Sequence, residues 1–175
     1  MLYEFERDQE RIFDSLAAQL HKVDKDLTFE FGPKQDGKRE FVISAGGIRE
    51  AFPKVEALHA AAPALPNWTI VKFRPRRAPF DIRVGEKGVN AADVHVVLHA
   101  QGEKVGLTVS IPGYKASEHT PYATIGYLFL DQTLGEFDVE TRVGAIQFQA
   151  PSGSDTMAVS LHELPAAFDA YFARR

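Results

Sequence analysis

The chain has 175 residues, 45% of them hydrophobic and 25% charged, with a formal net charge of −4 and no cysteine. That composition is of the ordinary globular kind, so residues 1–175 are expected to form a single globular domain, and collagen-like, disordered and membrane-embedded classes are excluded. The missing cysteine removes disulfides, thiolate metal sites, iron–sulfur clusters and cysteine nucleophiles.

The first ten residues are acidic and lack the basic and then apolar regions of a signal peptide, so a cytoplasmic location is expected. Residues 6–22 put Ile12, Phe13, Leu16 and Leu20 on one side, which predicts an amphipathic helix. Leu27 to Phe31 and Arg39 to Ala45 read as two strands joined through Gly32-Pro33-Lys34-Gln35-Asp36-Gly37. Ser44-Ala45-Gly46-Gly47 breaks the second strand, and Pro53 to Ala62 predicts a helix that stops before Pro63. Trp68 to Arg74 and Phe80 to Val84 are two further strands, and the prolines at 75 and 79 between them place at least one at a sheet edge.

Residues 93–112 carry the clearest pattern. With Gly102-Glu103 as the turn, Leu98 faces Leu107, Val96 faces Val109 and Val94 faces Ile111, which makes one wholly apolar face. The opposite face sets His95, Val97 and His99 across from Ser110, Thr108 and Gly106, a half-polar surface open to solvent, a ligand or a partner. Thr120 to Leu134 reads as a helix apolar nearly all round, ended by Gly135. Its longest near-apolar run, Tyr122 to Leu130, is far below the roughly 20 residues that span a bilayer, so no membrane partner is expected. Val143 to Phe148 is a last strand, and Ser160 with Glu163 forms a capping box before a helix striped by Leu164, Phe168, Tyr171 and Phe172. Strands joined by hairpins with helices inserted imply an α+β fold: a single mainly antiparallel sheet of about six or seven strands with helices packed on one face.

Several segments also resemble a known family. Phe29-Glu30-Phe31-Gly32, the run from Gly37-Lys38-Arg39-Glu40-Phe41 through Gly46-Gly47 to Pro53, Ala61-Ala62-Pro63, Trp68 through Phe73-Arg74-Pro75-Arg76, and Leu134-Gly135-Glu136-Phe137-Asp138 are similar to a bacterial family of uncharacterised proteins, domain of unknown function 695. The resemblance covers about Leu27 to Phe148 and supplies no catalytic residues. Similar domains are found fused to a small domain like a ribonuclease-regulating protein, which implies a regulatory or binding role.

The residues themselves offer a few candidate chemistries. His95 and His99 share a strand face but lie ~13 Å apart along it, too far for one metal ion. His95 and Ser110, with Asp93, could form a base and nucleophile for a small hydrolase, yet no oxyanion element accompanies them. The turn at Glu136-Asp138 could serve acid–base work, but a solvated turn with Asp138 as helix cap is the simpler expectation. Lys72, Arg74, Arg76, Arg77 and Arg83, against Asp81 alone, make a basic ridge in an acidic chain. Such a ridge suits an acidic protein or an anionic ligand; electrostatic binding of nucleic acid is a weaker expectation, and pairing with the chain's own carboxylates is the plain alternative. Nothing calls for a cofactor or metal. The leading expectation is a non-catalytic binding domain that uses the ridge and the face carrying His95 and His99.

Overall fold

A computed structural model describes residues 8–152 and 157–174. The chain divides between Arg74 and Pro75 into two compact units. The α+β class holds. The single sheet does not: the strands form three separate sheets of three, two and four strands.

The first unit opens with helix α1, Gln9–Val23, capped by Asp8, whose carboxylate accepts from the Arg11 N–H at 3.3 Å. Of the predicted 6–22 span, residues 6 and 7 lie outside the described residues. Ile12 and Leu20 are buried, while Phe13, expected with them, is exposed and lies against the rings of Phe29 and Phe31 at 5.1 Å. Strands β1, Thr28–Gln35, and β2, Lys38–Ser44, pair antiparallel. The predicted six-residue connection is really a two-residue turn, Asp36-Gly37, both with positive φ. The strand runs on through Gly32-Pro33 because a bulge between Phe31 and Lys34 absorbs the proline on an edge strand. Helix α2, Phe52–Ala60, then carries the chain to β3, Trp68–Lys72, which pairs parallel to β2. A parallel neighbour requires a crossover, and α2 supplies it. The core gathers Phe41, Ile43, Val55 and Trp68 with α1. The strand ends at Lys72, short of the predicted Arg74, because Phe73 with φ of 61° breaks the alternation and turns its ring onto Phe52 at 4.5 Å.

The second unit begins with a small hairpin, β4 Ile82–Val84 and β5 Lys87–Val89, turning at Gly85. The strand predicted over Phe80 to Val84 is thus shorter and has a local partner that the sequence reading missed. Strands β6, His95–Gln101, and β7, Lys104–Ser110, adopt the predicted register at all seven pairs. Helices α3, His119–Leu134, and α4, Glu136–Arg142, then cross over to β8, Val143–Gln149, parallel to β7. Strand β9, Val159–Ser160, adds antiparallel to the start of β6, and α5, Leu164–Ala173, closes the unit. The sheet order is β8-β7-β6-β9.

The apolar face is as expected: Val94, Val96, Val105, Leu107, Val109 and Ile111 are all buried. They pack with Ile125, Phe129 and Leu130 of α3 and with Leu164 and Phe168 of α5. Helix α3, expected to be apolar nearly all round, buries Tyr122, Ile125, Phe129 and Leu130 and leaves Tyr127 and Leu128 exposed. The two reciprocal bonds of the predicted box form, the Ser160 N–H donating to Glu163 Oε2 at 3.0 Å and the Glu163 N–H to Ser160 Oγ at 3.3 Å, but Ser160 ends β9 and Glu163, not Ser160, is the N-cap of α5. It closes a turn just ahead of α5. Among the described residues no helix is long and apolar enough to cross a membrane.

Candidate ligand-binding face

The outward face of the four-stranded sheet is set by strand alternation. The two-residue turn begins with Gly102 at φ 58°, where only glycine is unstrained, and this fixes His95, Val97, His99 and Gln101 on the side away from the helices. Thr108 and Ser110 join them from β7, and the parallel pairing brings Gln147 and Gln149 alongside from β8. The result is an open groove of about 400 Å³ lined by His99, Ala100, Gln101, Gly106, Leu107, Thr108, Ala145 and Gln147. Their polar groups are an imidazole, a hydroxyl and two carboxamides.

The floor of the groove depends on two missing side chains. Between Val105 and Leu107 the β7–β8 register shifts, so β8 holds an extra residue. The Ala145 N–H freed there donates to Gln101 Oε1 at 2.7 Å. A Cβ on Gly106 would stand 3.3 Å from that oxygen and a Cβ on Gly144 only 2.1 Å from it, so both glycines make room for the Gln101 side chain to cross the sheet. Beside it, His99 Nε2 and Thr108 Oγ1 pair at 2.8 Å.

The proposed base and nucleophile are used otherwise. Ser110 is buried and its hydroxyl accepts from Gln149 Nε2 at 3.3 Å. His95 is exposed, stands opposite Ser160 on its other side, and lies near Glu163. The Glu163 carboxyl is held below its ordinary range first by the Ser160 hydroxyl, then by the Ser160 N–H, with a smaller pull from His95.

The acidic turn is also corrected. Glu136 opens α4 and is fully buried, so this carboxyl is not solvated as expected, while Phe137 beside it is exposed. Asp138 lies inside the helix rather than at its cap. It accepts from Arg76 at 2.7 Å and pairs with Arg142 at 3.3 Å.

The cations of the basic ridge are shared between the units. In the first, Lys72 pairs with Glu56 at 3.4 Å and Arg74 with Glu30 at 3.5 Å. In the second, Arg76 donates to both Asp169 oxygens at 2.9 Å, to Asp138 and to the Leu134 carbonyl at 3.0 Å, and its guanidinium lies 5.7 Å from the Phe168 ring centre. The Arg77 N–H donates to the Gln132 carbonyl at 2.7 Å, and the Arg83 guanidinium passes over Gly88. Arg76 thereby fastens the end of α3 to α4 and α5.

Gln101 and Gln147 were not singled out by the sequence reading. Gln101 was visible as the next residue in the outward phase. Gln147 was hidden, because its place depends on the parallel pairing of β8, which has no local signature. No family model matches the sequence, and no curated protein matches it.

Proposed function

We propose that the chain is a non-catalytic binding domain of a bacterial cytoplasmic protein, related to the uncharacterised family it resembles, and that its partner is a protein segment seated on the outward face of β6, β7 and β8. The observation that carries this reading is the polar groove over Gly106, lined by His99, Gln101, Thr108 and Gln147. Its imidazole, hydroxyl and carboxamide groups suit the amide groups of a peptide, with the Lys104 ammonium at one end beside Gln101. The Lys72 and Arg74 ammonium and guanidinium groups already meet carboxylates, and Arg76 is consumed in holding three helices together, so the face is favoured over the ridge as the contact surface. The Ser110 hydroxyl, bonded to Gln149 and buried, supports a structural role rather than a nucleophilic one.

The test is an array of immobilised peptides probed with wild type, with Thr108→Lys plus Gln147→Lys, and with Lys72→Glu plus Arg74→Glu. The face variant should lose the peptides that wild type retains, while the ridge variant keeps them. Retention by the face variant and loss by the ridge variant would contradict the reading. So would a reproducible hydrolytic turnover abolished equally by His95→Ala and Ser110→Ala, since partners in a nucleophile–base unit fail together.

A further inference from the structure

We infer that the partner segment presents a carboxylate to the end of the groove where Lys104 stands; this rests on the proposed use of the sheet face. The two-residue turn pairs Gln101 with Lys104, so their side chains leave the same outward face as neighbours, about 5 Å apart at Cβ. Both then reach the same stretch of β8. Lys104 Nζ donates to the Val143 carbonyl at 3.2 Å, and Gln101 Oε1 accepts from the Ala145 N–H at 2.7 Å. A Cβ on Gly144, between those two residues, would stand 3.5 Å from Gln101 Nε2, so the carboxamide lies over that glycine. An ammonium and a carboxamide thus converge over Val143, Gly144 and Ala145, where β8 holds its extra residue.

The hydrogen bonds already made determine what this corner offers a ligand. Because Oε1 is held by the Ala145 N–H, the Gln101 amide is oriented, and its Nε2 end supplies only donors. The Lys104 ammonium has three N–H bonds, and the Val143 carbonyl takes one of them. That acceptor is neutral. Lys72, Arg74, Arg76 and Lys87 each meet a carboxylate instead, at 3.4, 3.5, 2.7 and 2.7 Å. The corner is therefore rich in donors and positive, with Lys104 half-buried, and it favours an oxygen anion over a neutral amide.

Its place in the groove fits a bound segment. Lys104, Gly106 and Thr108 form one outward row along β7, opposite Gln101, His99 and Val97. At the backbone the lysine is about 7 Å from Gly106 and about 13 Å from Thr108. Four extended residues span that row, so a segment lying over Gly106 and Thr108 brings either its C-terminal carboxylate or an Asp or Glu side chain to the ammonium. Both sources offer the same anion. Exposed Glu103 precedes Lys104 in the turn and repels an anion from that side, which leaves the approach over Gly144 beside Gln101 Nε2.

The test titrates the full chain, followed by NMR, with three peptides: acetyl-Thr-Val-Thr-Val-Thr with a free C-terminal carboxylate, the same peptide as its C-terminal amide, and acetyl-Thr-Val-Asp-Val-Thr-amide. In wild type at least one carboxylate peptide should bind about threefold or more tighter than the neutral one at low salt and shift the Gln101 Nε2 signals, and the gap should narrow at about 0.5 M salt. Whichever carboxylate peptide binds tighter identifies the source. Lys104→Gln should erase the preference without weakening the neutral peptide. Gln101→Glu keeps an acceptor for the Ala145 N–H but replaces the donor with an anion, so it should reverse the preference at an unchanged melting midpoint. Equal affinities of the three peptides in wild type, or a preference that survives in either variant, would overturn the carboxylate site. If Thr108 and Gln147 still shift with the neutral peptide in that case, the face reading stands; if no peptide shifts them, both readings fall.

Discussion

Val96 and His95 are adjacent in the chain and opposite in environment: the first is fully buried under the helices and the second is exposed on the open face. Val96→Asp buries an unpaired carboxylate and should cost about 3 kcal/mol or more, whereas His95→Asp should cost about 1 kcal/mol or less. Urea unfolding of the two variants checks this, and equal midpoints would mean that the faces are assigned wrongly. A similar contrast separates two cations of the ridge. Arg76→Glu removes hydrogen bonds to Asp138, Asp169 and the Leu134 carbonyl and sets a third carboxylate beside the two, which should lower stability by about 1–3 kcal/mol. Arg74→Glu disturbs a half-exposed pair with Glu30 and should change stability by about 0–1 kcal/mol. Melting curves of equal midpoint for the two variants would show that the Arg76 network is not structural. The contrast could not be read from the sequence, where both arginines belong to one run. It depends on α4 and α5 arriving beside Arg76 from more than sixty residues away, a tertiary event with no local trace.

Helix α3 is placed against β8 through a glycine. Alanine is about 1 kcal/mol better than glycine in a helix interior, so Gly126→Ala would be stabilising on propensity alone. Here a Cβ would stand 2.1 Å from Phe148 Cε1 and 2.6 Å from Cδ1. The ring is itself packed at 5.3 Å against Tyr127 and at 6.1 Å against His119, so it has little freedom to retreat. Overpacking should dominate, and Gly126→Ala should be destabilised by about 1–2 kcal/mol net in a thermal melt. A more stable variant would contradict the close approach of α3 to β8.

Elements of this kind were legible from the sequence wherever the signal was local. The β6–β7 register followed from alternation around Gly102-Glu103, and the Asp36-Gly37 turn, the start of α2 near Pro53 and the Ser160–Glu163 box followed from residues with fixed backbone preferences. The sheet count was misread because strand–helix–strand runs were taken as helices inserted in one antiparallel sheet. Both runs, β2-α2-β3 and β7-α3-α4-β8, make parallel pairs instead, and pairing between strands so far apart in the chain leaves no pattern within either strand. The candidate groove shows the same division. His99 and Thr108 come from the legible hairpin, while Ala145 and Gln147 enter with β8.

Among the described residues, the carboxyl groups with displaced titration all move the same way. Asp8 is lowered by the Arg11 side chain, Glu118 by Lys87, Glu163 by Ser160 and Asp169 by Arg76, each named for its largest cause. A carboxyl that is more acidic in the folded state stabilises the fold above its unfolded value, and that stabilisation disappears as pH falls through the folded value. With ordinary values of 3.8 for Asp and 4.5 for Glu, stability should be level above about pH 5 and decline below it. Asp169→Asn should flatten that decline, measured as the urea midpoint between neutral pH and pH 3. A variant as acid-sensitive as wild type would show that the Arg76–Asp169 contact does not contribute in solution.

The central claim for the molecule is that its partner meets the polar outward face of β6, β7 and β8 rather than the cations between Lys72 and Arg83. The most direct measurement is backbone and side-chain NMR shift mapping during titration of the full chain with a blocked model peptide, acetyl-Thr-Val-Thr-Val-Thr-amide. The account predicts perturbations confined to residues 97–101, Gly106, Thr108, Ala145 and Gln147, with the Arg74, Arg76 and Arg83 side-chain signals unmoved. Perturbations concentrated on those arginines with the Gly106 region silent would contradict it.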